Sequence, residues 1–255
     1  MFVLMRSSVA DPRALNLSLA DVPTTGVHPT GIWVHDADRG RLVSDRPNTT
    51  WIRRKGHAMK VLVIGATGTI GSAVADALAV RHEVVRAARR GPVRVDMGDT
   101  TTIDALFAEV GEVDAVVCCA ASGGLTPLDA LADTEFWSGL DGKLVGQVNL
   151  VRRALAHVRD GGSVTLTSGR FAEPVPGSSL GYLVNAGLEA FVHAAATEMP
   201  RGVRLNTVSP GWVRETLLGL GMDPADGAPV TDVAQVYLDA VEGTAHGRTL
   251  STSMP

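Results

Sequence analysis

The stretch Val61-Leu62-Val63-Ile64-Gly65-Ala66-Thr67-Gly68-Thr69-Ile70-Gly71 decides how the rest of the chain is read. Four apolar, mostly β-branched residues predict a strand buried on both faces, and the pattern from Ile70 to Val80 predicts a helix directly after it. Three glycines stand at the junction. Gly65 permits a tight turn, Gly68 lets backbone N–H groups approach a pyrophosphate, and Gly71 allows close helix–strand packing beneath the positive N-terminus of the helix. A glycine-rich turn by itself is a weak signal; its place between a buried strand and a helix makes it specific.

Working outward, strand and helix patterns alternate. His82–Ala88 reads as extended, Thr101–Val110 as a helix, Ala115–Ala120 as a strand, Asp133–Val158 as a long helix and Ser163–Thr167 as a strand. After a loop rich in Pro and Gly come a helix over Gly181–Glu198, a strand at Val203–Val208, a helix at Asp232–Val241 and a short strand near Thr249. Strands separated by helices of this length imply right-handed crossovers and a parallel sheet covered on both faces. The predicted fold class is α/β, a doubly wound parallel sheet in a single domain with an irregular N-terminal extension.

Residues 1–58 read differently, with turn pairs such as Asp11-Pro12 and His28-Pro29 and no sustained periodicity of either kind. A boundary near Met59 follows, giving residues 1–58 as an extension and residues 59–255 as the nucleotide-binding domain. The extension is expected either to be poorly ordered, as an upstream start would make it, or to form a lid or oligomer arm around Trp33 and Trp51.

The chain has 255 residues, 45% hydrophobic and 20% charged, and a net charge of −4, the balance of a globular protein with no electrostatic footprint for nucleic acid. No apolar run reaches the ~18 residues of a membrane span, and the first five residues are too short for a signal-peptide core. A cytoplasmic protein is expected. The adjacent Cys118 and Cys119 sit on a strand, where neighbours point to opposite faces and do not readily bridge, and the scattered histidines suggest no metal site. Only three of the 23 basic residues are lysines, Lys55, Lys60 and Lys143, which makes each worth locating.

Cofactor choice is read from the end of the second strand, Ala87-Ala88-Arg89-Arg90. A carboxylate there would hydrogen-bond a ribose 2′-OH; its absence, and the paired arginines, favour the 2′-phosphate of NADP(H). The alternative for either arginine is an ordinary solvated charge.

Taken together, residues 60–252 resemble the short-chain dehydrogenase/reductase family, a Rossmann-type fold. Gly65, Thr67, Gly68, Thr69, Ile70 and Gly71 match its phosphate turn, and Asp96 and Met97 its adenine-contacting segment. Ala120 and Ala121, in Cys119-Ala120-Ala121-Ser122, occupy the place of its Asn-Ala-Gly. The strand ending Leu166-Thr167-Ser168 looks like the one that carries the family's catalytic serine. Pro210, Gly211 and Val213 look like the segment that holds the nicotinamide carboxamide. The resemblance implies a proton-donating tyrosine thirteen residues after the serine and a lysine four further on. Here those positions are Gly181 and Asn185, and the resemblance implies that Asn185 takes the place beside the nicotinamide ribose.

Tyr182 lies one residue too far, and one residue turns a helical side chain by ~100°. It is either returned to the cleft by a local irregularity or an ordinary half-buried tyrosine. Lys143 stands where the family has an asparagine, as either a proton donor with a pKa lowered by desolvation or a snorkelling surface lysine. Ser168, Lys143 and Tyr182 are the catalytic candidates. The function expected is an NADP(H)-dependent oxidoreductase acting on a small carbonyl or alcohol. The alternatives are a non-redox isomerase, cyclase or dehydratase on the same fold, or a nucleotide-binding sensor. The resemblance also implies a dimer or tetramer through the two long helices, and a reduced lid over residues 215–230.

Overall fold

The computed structural model describes residues 57–252 apart from 121–123, 130–136, 138 and 172, together with the backbone of three N-terminal strands. The chain divides into two compact units, residues 1–52 and 53–255. In the first, β1 (Thr25–His28), β2 (Gly31–Asp36) and β3 (Arg41–Ser44) form an antiparallel sheet in that order. His28 lies opposite Gly31 in the first pairing, and Asp36 lies opposite Arg41 in the second.

The second unit carries β4 (Lys60–Ile64), α1 (Thr69–Ala79), β5 (Glu83–Ala88), β6 (Val93–Arg94), α2 (Thr100–Val110) and β7 (Val113–Cys118). There follow a π-helical turn over Leu140–Val145 that runs into α3 (Gly146–Ala154), then β8 (Val158–Thr167), α4 (Ser179–Ala195) and β9 (Arg204–Val208). Last come α5 (Arg214–Gly219), α6 (Val230–Glu242) and β10 (Arg248–Leu250). All seven strands are parallel, in the order β10-β9-β8-β7-β4-β5-β6. The sheet starts in its middle, winds one way through β5 and β6, then crosses to β7 and winds the other way. The reversal between β4 and β7 leaves a crevice at their carboxyl ends, the place where doubly wound sheets bind ligands.

Alternation along β4 shows why both faces are covered. Leu62 and Ile64 join the core under α2, α3 and α4, with Ile103, Phe107, Leu150, Val184 and Leu188. Val61 and Val63 join the opposite core under α1 and α6, with Val74, Leu78, Tyr237 and Val241.

The long helix expected over Asp133–Val158 is shorter and interrupted. Of its first part, residues 133–136 and 138 lie outside the described residues. Its end is overridden by the sheet: Val158 pairs with Val113, so β8 begins where helix was expected. The helix expected to run to Glu198 ends at Ala195 and tightens to a 3₁₀ turn over Ala196–Glu198. The short β6 and α5 had no readable period.

Candidate functional site

A cavity of about 560 Å³ opens at the switch point, within the range of small-molecule sites. Its walls include Gly65, Thr67 and Gly68 from the glycine turn, Arg89 and Arg90 after β5, Asp96 and Met97 after β6, Cys119 and Ala120 after β7, and Gly142 from the π-helical turn.

The turn is built as its glycines require. Gly65 has φ +82°, a region disfavoured for residues with a Cβ, and a Cβ there would lie 2.6 Å from the Ala120 nitrogen. A Cβ on Gly71 would overlap the Gly65 carbonyl, so α1 packs directly on the turn. Gly68 is the N-cap of α1 and supplies no side-chain cap, and no acidic residue stands in the first turn. The amide donors of Thr69, Ile70 and Gly71 thus head an 11-residue helix without a side-chain partner at its cap.

Arg89 and Arg90 are exposed at the cavity rim and make no ion pair among the described residues. Asp96 is also exposed there; its Oδ1 accepts from the Gly98 amide at 2.9 Å, which fixes the loop. Ala121 lies outside the described residues. Pro210 and Gly211 lie beside Arg170, whose amide donates to the Pro210 carbonyl at 3.0 Å, and Val213 is buried at the start of α5. These last three stand apart from the cavity wall.

The catalytic candidates are not brought into contact with one another. Ser168, 2% exposed, donates its hydroxyl proton to Glu189 Oε1 at 2.8 Å. Lys143 follows cavity-lining Gly142 in the π-helical turn, a distortion that often marks functional positions. Burial lowers its pKa from 10.5 to about 8, and its Nζ has no partner among the described residues. Lys60, by contrast, is structural: its Nζ donates to the Val110 carbonyl at the end of α2.

Tyr182 is 38% exposed and stacks on Phe171, with ring centroids 5.2 Å apart. The α4 helix begins regularly at Ser179, so no irregularity turns the phenol inward. Phe171 also occupies the space over Gly181, where a Cβ would lie 3.2 Å from its ring, and meets Trp212 edge-on. Asn185 is 7% exposed, and its side-chain oxygen has no hydrogen-bond partner. A Cβ on Gly169 would lie 3.3 Å from the Asn185 Nδ2, which places this orphaned amide beside the loop after β8.

Two residues, Gln147 and Glu189, escaped the sequence reading. Fully buried Gln147 clamps the Thr167 backbone, accepting from its N–H at 2.8 Å and donating to its carbonyl at 2.9 Å, and also donates to the Lys143 carbonyl at 3.0 Å. It thereby ties the π-helical turn to the end of β8. Glu189 accepts from Ser209 as well as Ser168. Cys119, read from the sequence as a strand residue, packs against the core under α1 and α6 and also lines the cavity; burial holds its thiol well above the usual range, so it is no thiolate. A buried glutamine and a helical glutamate carry no periodic or motif signal; only the partners reveal them.

A doubly wound parallel sheet with an amide-lined turn at its switch point defines a nucleotide-binding α/β class. The sequence model of the enoyl-(acyl carrier protein) reductase family matches residues 60–231. The chain therefore belongs to the short-chain dehydrogenase/reductase family. It is 32% identical over 132 residues to (5R,7aS)-5-hydroxy-7a-methyl-1-oxo-2,3,5,6,7,7a-hexahydro-1H-indene-carboxyl-CoA reductase of Mycobacterium tuberculosis, covering 48% of this chain and 50% of the relative. The chain spans about half the length of the curated relatives it matches. Among solved structures, the protein lin1944 from Listeria innocua is 36% identical with a TM-score of 0.71, covering 76% of this chain and 99% of that one. A small-chain dehydrogenase in complex with NADPH shares the fold at 24% identity and a TM-score of 0.67, covering 77% and 97%. Among the described residues no helix is long and apolar enough to cross a membrane.

Proposed function

We propose that this chain is an NADP(H)-dependent oxidoreductase that interconverts a small carbonyl compound and its alcohol. One observation carries the reading: an uncapped helix N-terminus and two guanidinium groups with no ion pair among the described residues face the same cavity. The first fits a diphosphate and the second an added 2′-phosphate, and Gly65 and Gly71, where a Cβ would meet backbone, keep the turn closely packed. The nicotinamide supplies the hydride when bound. The protein supplies the rest: Gly65, Thr67, Gly68, Thr69, Ile70 and Gly71 orient the diphosphate, and Arg89 and Arg90 select the phosphorylated ribose. Asp96, Met97 and Ala120 frame the adenosine side. Asn185 offers its free amide to the nicotinamide ribose, and Pro210, Gly211 and Val213 close the carboxamide side.

Lys143 is the proton-bearing group. A lysine that titrates near pH 8 exchanges protons at physiological pH without the usual tyrosine. Ser168 orients the substrate oxygen, and Tyr182 extends the apolar wall of Phe171 and Trp212. Residues 59–255 form the catalytic domain, and the protein acts in the cytoplasm as a dimer or tetramer. Apolar side chains left exposed along the association helices, Val145 and Leu183, support that assembly.

Calorimetry with NADPH and NADH tests the reading. Wild type binds NADPH more tightly than NADH. An Arg89→Ala/Arg90→Ala variant loses about 10- to 100-fold in NADPH affinity, the worth of ~1.5–3 kcal/mol for charged hydrogen bonds, and little for NADH. Equal loss for both cofactors would remove the phosphate role, and no binding of either would remove the reading.

A further inference from the structure

The loop after β8 and the helix α4 share a carboxylate that none of the roles above uses. Ser168 Oγ donates to Glu189 Oε1 at 2.8 Å, and Ser209 Oγ donates to the same oxygen at 2.9 Å. The two serines follow the adjacent strands β8 and β9, and both are buried, so neither hydroxyl has bulk water as an alternative partner. Glu189 stands one helical turn beyond Asn185 and two beyond Gly181, on the same strip of α4. The carboxylate is therefore in direct contact with Ser168, the residue proposed to hold the reacting oxygen, and it stands on the helix that has Gly181 and Asn185 in place of the usual tyrosine and lysine.

A serine hydroxyl has one proton and two lone pairs, and an ionised carboxylate only accepts. With its proton committed to Glu189, Ser168 has acceptor capacity alone. A hydrogen bond to a carboxylate is roughly twice as strong as one between neutral groups. A carbonyl oxygen arriving at Ser168 would have to break that bond to receive the proton, whereas an alcohol donates to the free lone pairs and leaves it intact.

We propose that Glu189 is a positioning residue that fixes Ser168 as a hydrogen-bond acceptor, so that the resting site takes a substrate hydroxyl in preference to a bare carbonyl oxygen. The inference rests on the oxidoreductase reading above and adds to it the substrate class that the unliganded site selects.

Two measurements test it. The first needs no substrate: in protein labelled with ¹³C at the glutamate carboxyl, the Glu189 resonance is assigned by its loss in Glu189→Gln. It is expected to move in Ser168→Ala, and an unmoved resonance overturns the proposal. The second compares KM values for simple secondary alcohols with NADP⁺ and for the matching ketones with NADPH. Glu189→Leu frees the Ser168 proton, so KM for the alcohols rises and KM for the ketones falls, each about tenfold, the scale of one hydrogen bond. Glu189→Asp, which restores the carboxylate, returns the wild-type order.

KM values that move together, or do not move, overturn the proposal and leave the redox reading standing. A wild type that binds NADPH yet turns over neither alcohols nor ketones overturns both. The resonance measurement stands even where the leucine variant does not fold.

Discussion

Replacing Lys143 by methionine is expected to make the protein more stable at neutral pH while it removes the group proposed to carry the proton. The ammonium sits in the π-helical turn with no carboxylate beside it among the described residues, and burial alone lowers its pKa from 10.5 to about 8. That fall corresponds to about 3 kcal/mol of penalty on the charged form. The side chain is only half-buried beside an open cavity, so solvent relieves part of this, and about 1–3 kcal/mol is expected. Below pH 8 the lysine is charged in both folded and unfolded chains, and the penalty is fully present. Between pH 8 and 10.5 the folded protein gives up the proton first, so wild-type stability rises with pH relative to the variant. Methionine keeps the length and apolar character of the stem and carries no charge to desolvate.

Urea unfolding of both unliganded proteins at pH 7 and pH 10.5 measures the difference directly. Lys143→Met should lead by about 1–3 kcal/mol at pH 7 and by much less at pH 10.5. A variant no more stable at pH 7, or an advantage that does not change with pH, refutes the account of Lys143 as a desolvated ammonium. Its proposed role as proton carrier would then lose its physical basis.

Gly71→Ala places a Cβ against the Gly65 carbonyl, so α1 must retreat from the turn; a loss of about 1–3 kcal/mol in urea unfolding is expected, with weaker NADPH binding by calorimetry. Unchanged stability would show that α1 and the turn are not packed so closely. Restoring the family's pair with Gly181→Tyr/Asn185→Lys should not raise turnover, because the Phe171 ring stands 3.2 Å from the Cβ that the tyrosine would need. Adding Phe171→Ala should recover the lost thermal stability, and a double variant as stable as wild type without that relief would contradict the packing.

The glycine turn was legible because Gly65 and Gly71 answer to local geometry, a positive φ and a close approach, that few other residues satisfy. The place of Arg89 and Arg90 was legible for a similar reason: they directly follow β5, whose end leads to the crevice, and both stand exposed at the cavity rim. The boundary between α3 and β8 was not. Leu155 to Val158 continues a helical pattern, and only the pairing of Val158 with Val113 turns it into strand. Lys143 was noticed for its rarity and its place in an apolar helix, but its π-helical setting comes from a backbone distortion that leaves no mark on apolar spacing.

The sequence by itself determined the class of fold, the place of the crevice and the sign of the charge at its rim, because periodicity, turn chemistry and residue type act over a few neighbouring positions. Tertiary structure alone decided which way the hydroxyl of Ser168 points, what covers Gly181 and that Gln147 holds the Thr167 carbonyl. Those partners are separated by 21, 10 and 20 residues, brought together when helix packs on sheet. A hydrogen bond depends on tenths of an ångström between elements, and that spacing is set by the sum of the core rather than by any stretch of chain.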